Sequence, residues 1–155
     1  MNIGAIILWG FAATIILTII MSASKPLGIT RMDIPYMLGT MFTGNRNKAP
    51  WYGFIIHLMM GWVFAFIYSA GFYYSELNTW WFGLIIGFVH GLFVLTVGLS
   101  LISHIHPRMA NASDGPTPTK QLQPPGFMAI NYGNNTPVAT IIAHLLYGGV
   151  LGLFL

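Results

Sequence analysis

The sequence predicts an all-α fold, a bundle of four transmembrane helices. Three observations carry this. Of 155 residues, 55% are apolar and only 6% are charged, where a soluble domain carries about 25% charge. Mean hydropathy is +0.71. The apolar residues fall into long runs, each near the roughly twenty residues a helix needs to cross the hydrocarbon core, and no Asp, Glu, Lys or Arg interrupts any of them. The length suits a single membrane domain over residues 1–155 with no separate soluble domain. Cysteine is absent, which removes disulfides, thiolate metal sites and cysteine nucleophiles.

Taken in order, span one covers about Ile3 to Ser24, span two Trp51 to Tyr74, span three Trp80 to Ser103 and span four Pro137 to Leu155. Within lipid each span must satisfy its own backbone, so each is read as a helix. Span one lacks a basic leader and its apolar run is long, so it reads as a retained helix despite the small residues Ser22-Ala23-Ser24. All six basic residues lie in two loops: Lys25, Arg31, Arg46 and Lys48 after span one, Arg108 and Lys120 after span three. The turn Ser75 to Thr79 has none. The positive-inside rule then places loops 25–50 and 104–136 in the cytoplasm and both termini outside. Trp51 and Tyr52 mark the inner boundary, and Tyr73, Tyr74, Trp80 and Trp81 the outer one. The net charge of +3 and pI near 9.4 report orientation and contact with anionic lipid, not nucleic acid.

Spans two and four carry the same signature. Pro50-Trp-Tyr-Gly-Phe-Ile-Ile-His57-Leu-Met-Met-Gly61-Trp-Val63 is echoed by Pro137-Val-Ala-Thr-Ile-Ile-Ala-His144-Leu-Leu-Tyr-Gly148-Gly-Val150. The spacing of Trp9-Gly10 and Lys25-Pro26 also matches that of His90-Gly91 and His106-Pro107. These registers predict an internal parallel repeat of two helix–loop–helix halves, about 1–74 and 80–155. Each long loop is expected to hold a short interfacial helix. In the first, Asp33 caps, Pro35 sits in the first turn, and Met37, Leu38, Met41 and Phe42 form an apolar face. Its counterpart is Phe127 to Tyr132. Between Arg108 and Pro125, Pro, Gly, Asn and Thr predict an extended loop. The sequons at Asn111 and Asn134 would be unused on the cytoplasmic side. Gly83, Gly87 and Gly91 on span three, and Gly148, Gly149 and Gly152 on span four, are small-residue ridges that let helices approach closely.

Little in the sequence points to catalysis. The carboxylates Asp33, Glu76 and Asp114 all lie in loops, so no pair shares a helix face for acid–base work. No phosphate-binding glycine loop or nucleophile elbow is present. The histidines carry what chemistry there is. His57 and His144 sit about seven residues, roughly 10 Å, inside the inner boundary, and His90 is near the middle of span three. Intramembrane ionisable residues usually face the bundle interior. Their simplest role is a hydrogen bond to a neighbouring helix. A second reading has His57 and His144 ligating haem b axially, with Gly61 and Gly148 leaving room for the macrocycle. A third has zinc or copper held by His57, His144 and His90. Trp9 occupies the position matching His90, so His90 stands outside the symmetric pair. Met59 and Met60 beside His57, and Met37, Met41, Met109 and Met128 nearer the inner interface, offer thioethers for Cu(I), though methionine more often fills apolar gaps.

Met32-Asp33-Ile34-Pro35-Tyr36-Met37-Leu38-Gly39, the His-x-x-x-Gly of span two and His90-Gly91 resemble a group of small bacterial four-helix integral membrane proteins of unknown function. The resemblance covers about the first two-thirds of the chain and implies a bacterial cytoplasmic membrane. With so little chemistry on view, the expected function is non-enzymatic: an accessory or scaffold subunit of a larger membrane complex, binding the lipid bilayer and other membrane subunits but no nucleic acid and no cofactor. The alternatives are the haem or metal protein and a small transporter or channel.

Overall fold

In the computed structural model, described for residues 2–110 and 115–155, the chain is all-α. The helices are α1 (Ile3–Ser24), α2 (Ile34–Thr40), α3 (Ala49–Ser75), α4 (Trp80–Phe93), α5 (Leu99–Ile105) and α6 (Thr136–Phe154). A π-helical turn, Val94–Gly98, joins α4 to α5, so these three form one continuous helix, Trp80–Ile105. Together with α1, α3 and α6 it makes four helices long and apolar enough to cross a membrane. The chain is an integral membrane protein of four candidate spans. Trp51, Tyr73, Tyr74 and Trp80 are all exposed on its surface.

Local chemistry sets the helix ends. The Asn2 side chain accepts from the Ala5 amide and starts α1. Asp33 accepts from the Tyr36 amide at 3.0 Å and Pro35 lies in the first turn, which together start α2 where the sequence predicts it. Over Phe127–Tyr132 the sequence predicts a matching helix, and here the structure differs. The segment is 3-10 in character and broken by a kink, with Met128 and Ala129 both at positive φ. It follows Gly126, which has no side chain to cap it, so the element has no counterpart of Asp33.

The spans pack in the order α3, α1, α6, α4, with α1 against α3 and α6, and α6 against α4. Glycine sets the closest approaches. A Cβ on Gly83 would stand 2.1 Å from the Gly148 carbonyl oxygen, and one on Gly87 2.4 Å from that of His144. These are backbone-to-backbone contacts, which the small-residue ridges permit. α3 and α4 meet instead through aromatic side chains: Phe64 with Phe93, and Phe72 with Phe82. That wider seam, closed by side chains and not by backbone, borders the interior site.

The segment expected to be an extended loop folds back onto α2. Met109 and Leu122 form a short bridge, and both are buried. Arg108 donates to the Thr40 carbonyl at 2.8 Å, and Gln121 donates to that of Gly44 at 3.1 Å. The sequon at Asn111 and the carboxylate of Asp114 lie outside the described residues.

His106 ties this loop to the bundle. Its Nε2–H donates to the Met37 carbonyl at 2.9 Å and its Nδ1 accepts the Arg108 amide at 3.1 Å. A carbonyl only accepts and an amide only donates, so the ring is neutral. Burial lowers its pKa from the usual 6.5; Arg108 and Lys120 add to this, partly offset by the Met37 carbonyl. A histidine depressed in the folded state gives its full stability above the unfolded pKa of about 6.5 and loses it as pH falls below. The melting temperature in detergent should therefore drop between about pH 7 and about pH 5. The drop should shrink in His106→Gln. An equal drop in both proteins would contradict this role.

Candidate functional site

A cavity of about 70 Å³ lies inside the bundle. Its polar lining is His57 from α3, His90 from α4, Thr140, His144 and Tyr147 from α6, and Thr14 from α1. The structure thus brings all three intramembrane histidines to one site. The repeat register, which pairs His90 with Trp9, sets His90 apart. In the fold its ring stands 4.7 Å from that of His144, edge to face, and stacks on Phe64 at 3.8 Å. Trp9 stacks on Phe154 and is not among the cavity residues.

Each histidine has one nitrogen fixed by protein. His144 Nδ1 lies 2.8 Å from the Thr140 carbonyl oxygen. That oxygen can only accept, so the proton is on Nδ1. His57 Nδ1 lies 3.1 Å from Thr18 Oγ1. The Thr18 hydroxyl proton is already given to the Thr14 carbonyl at 2.7 Å, so Thr18 must accept and His57 also carries its proton on Nδ1. In the neutral rings, Nε2 of His57 and of His144 is then a bare lone pair. His90 Nδ1 pairs with the Tyr68 hydroxyl at 3.3 Å. Among the described residues, no protein group hydrogen-bonds Nε2 of any of the three. The expected hydrogen bond to a neighbouring helix is made by His57, to α1, and by His90, to α3, whereas His144 bonds within its own helix; each bond engages only one nitrogen of its ring.

Thr140 completes the site. Its residue is 1% exposed, and its Oγ1 has no hydrogen-bond partner among the described residues. A buried hydroxyl left unpaired costs about 1–3 kcal/mol. Beside three unpaired ring nitrogens, it marks a cavity suited to something that hydrogen-bonds. A volume of about 70 Å³ holds a few water molecules.

The glycines have a different part from the one expected. A Cβ on Gly61 would stand 1.9 Å from Thr14 Oγ1, and one on Gly148 2.1 Å from the Gly83 carbonyl oxygen. Both are points where helices cross, so the room foreseen there for a macrocycle is taken by α1 and α4. Gly61 also receives the Tyr147 hydroxyl on its carbonyl at 2.6 Å, which fastens α6 to α3. Among the described residues, no three His, Asp or Glu side chains form a group that could hold a metal ion.

Sequence reasoning missed Thr18, Tyr68 and Thr140 as hydrogen-bond partners of the histidines, and Tyr147 as the residue that ties α6 to α3 beside them. A signal was available for Thr140, four residues before His144 and hence on the same helix face. Thr18 and Tyr68 are set by interhelical contact and leave no spacing signature. No family model, curated protein or solved structure matches the chain. The fold and site define a small four-span membrane protein with a histidine-lined interior.

Proposed function

We propose that the protein is non-enzymatic and that its working part is this cavity, which takes up a small hydrogen-bond-donating or cationic guest between the helices. One observation carries the reading: two imidazoles on different spans, each with its proton committed to Nδ1, share a small cavity with the unpaired Thr140 hydroxyl. Ionisable residues inside a membrane bundle mark substrate paths, relays or ligand sites far more often than lipid-facing decoration. Among the described residues no carboxylate lines the cavity, and Asp33 is paired with Lys25 elsewhere, so acid–base hydrolysis has no support here. A role as the accessory subunit of a larger complex is compatible with such a site and is the wider setting we assign to it.

The same reading includes the orientation and the repeat. Lys25, Arg31, Arg46, Lys48, Arg108 and Lys120 would face the cytoplasm, and the site would then lie nearer that side. The two halves would supply one histidine each. Their equal tautomers support that relation, although His57 pairs across to α1 while His144 pairs within its own helix.

The test is magnetisation transfer from water to the protein reconstituted in lipid bilayers, read by solid-state NMR. Water should reach the side chains of His57, Thr140 and His144 but not Ala13 and Ala65, which are fully buried in the apolar core. A dry histidine cluster would overturn the reading. A haem signal in the reduced-minus-oxidised visible spectrum would replace it with the cofactor protein.

A further inference from the structure

The cavity has a second chemical character. Four methionines, Met21, Met32, Met37 and Met60, line it together with the three histidines, and among the described residues no Asp or Glu does. They come from α1, from the approach to α2, from α2 itself and from α3. Methionine is a common gap-filler. Four thioethers around one small cavity that also presents two imidazole lone pairs form a donor set as well as a packing.

We infer that the cavity is a binding site for a soft monovalent metal ion, Cu(I), held by Nε2 of His57 and His144 with the thioether of Met60. The inference rests on the cavity reading above and names its guest. Three properties of the site select this ion. First, the donors are soft or borderline, nitrogen and thioether, the combination that favours Cu(I). Second, every donor is neutral. The cost of bringing an ion out of water rises with the square of its charge, so a divalent ion pays about four times as much as a monovalent one where no carboxylate offsets it. Third, a volume of about 70 Å³ admits a bare ion with a water but excludes an aromatic ring, since a cavity of about 150 Å³ is the size that takes up benzene.

The local geometry agrees. His57 and Met60 are three apart on α3 and therefore neighbours on one helix face. The bond from His57 Nδ1 to Thr18 and that from His144 Nδ1 to the Thr140 carbonyl do what outer partners of metal-bound histidines do: they fix the ring and leave Nε2 to the metal. Met59, the next residue to Met60, points elsewhere. It lies 57% exposed and lines only an outer groove with Phe42, Tyr52 and Ile55, whereas Met60, 38% exposed, lines both that groove and the cavity.

The experiment uses the purified full chain in chloride-free detergent buffer, titrated calorimetrically with Ag(I), a redox-inert stand-in for Cu(I), and separately with Zn(II). One equivalent of Ag(I) should bind and Zn(II) should not. His57→Ala and His144→Ala should each abolish binding. Met60→Leu keeps the volume of the side chain and should weaken it by about tenfold or more. Met59→Leu should leave it unchanged. Size-exclusion and helicity measurements establish that each variant is folded, and the isosteric Met60→Leu remains informative where an alanine variant does not fold. Absence of Ag(I) binding in wild type, tight Zn(II) binding, or equal Ag(I) affinity in wild type and Met60→Leu would overturn the metal assignment. A hydrated cavity that binds no Ag(I) would overturn this inference alone; a dry one would remove the cavity reading as well.

Discussion

Gly148→Leu should destabilise the protein by about 3 kcal/mol or more, at or above the top of the usual range for overpacking. The position faces backbone, not side chains. Its Cβ would be 2.1 Å from the Gly83 carbonyl oxygen and 3.1 Å from the Gly87 Cα. No rotamer change relieves a clash with a neighbouring backbone, so α4 and α6 would have to separate. That seam positions His144 against His90, so the site should be lost with it. Thermal unfolding in detergent, followed by tryptophan fluorescence and by the monodisperse fraction on size exclusion, measures the effect. Gly71→Ala is the control, since its Cβ meets only the Ile86 side-chain tip at 3.5 Å, and helix propensity favours Ala by about 1 kcal/mol. A Gly148→Leu protein that melts with wild type would refute the packing described here.

The second large effect is expected at the junction of α2 and α3. A Cβ on Gly53 would stand 1.7 Å from the Pro35 carbonyl oxygen, and one on Gly39 1.7 Å from that of Ala49. Gly53→Val should therefore release α2 while α3 remains helical, at a cost of about 2–3 kcal/mol. α2 supplies Met37 and Leu38 to the cavity lining, so its release would open the site from that end. Trypsin reads this directly, because Arg31 and Arg46 flank α2. Cleavage there should accelerate by about tenfold for each 1.4 kcal/mol lost, as opening becomes more frequent. Gly44→Ala, whose Cβ would meet only the Arg108 side chain at 3.3 Å, should cleave at nearly the wild-type rate. Equal cleavage in Gly53→Val and wild type would mean that α2 is held by something other than this contact.

The four spans were legible because lipid imposes a strong and simple constraint: long uncharged runs. Span one starts and ends where the apolar run does, and the other boundaries shift by only a residue or two. Asp33 and Pro35 announced α2 because capping is local chemistry. The π-helical turn at Val94–Gly98 was not legible. It leaves the hydropathy of the span unchanged, and only packing reveals it. The histidines were legible as candidates, and one site shared by His57, His144 and His90 was among the readings, but the contact that brings His90 to His144 was not. His90 joins His144 because Gly87 and Gly91 bring α4 onto α6, a consequence of close approach that repeat register does not encode. The glycines Gly61 and Gly148 illustrate the same limit. A missing side chain in a sequence can mean space or contact, and here Thr14 and the α4 backbone fill the place. The loop after α5 was read as extended from its composition, yet Arg108, Gln121 and His106 pin it to α2 through hydrogen bonds between residues far apart in sequence.

The central claim is that His57 and His144 both keep their protons on Nδ1 and turn bare Nε2 atoms to a shared, hydrated cavity. The measurement that tests it most directly is solid-state NMR of the protein in lipid bilayers with nitrogen-15 in its histidines. Two rings with protonated Nδ1, unprotonated Nε2 and magnetisation transferred from water to each are the predicted result. Protonated Nε2 on both rings, or Nε2 atoms that water does not reach, would contradict the account.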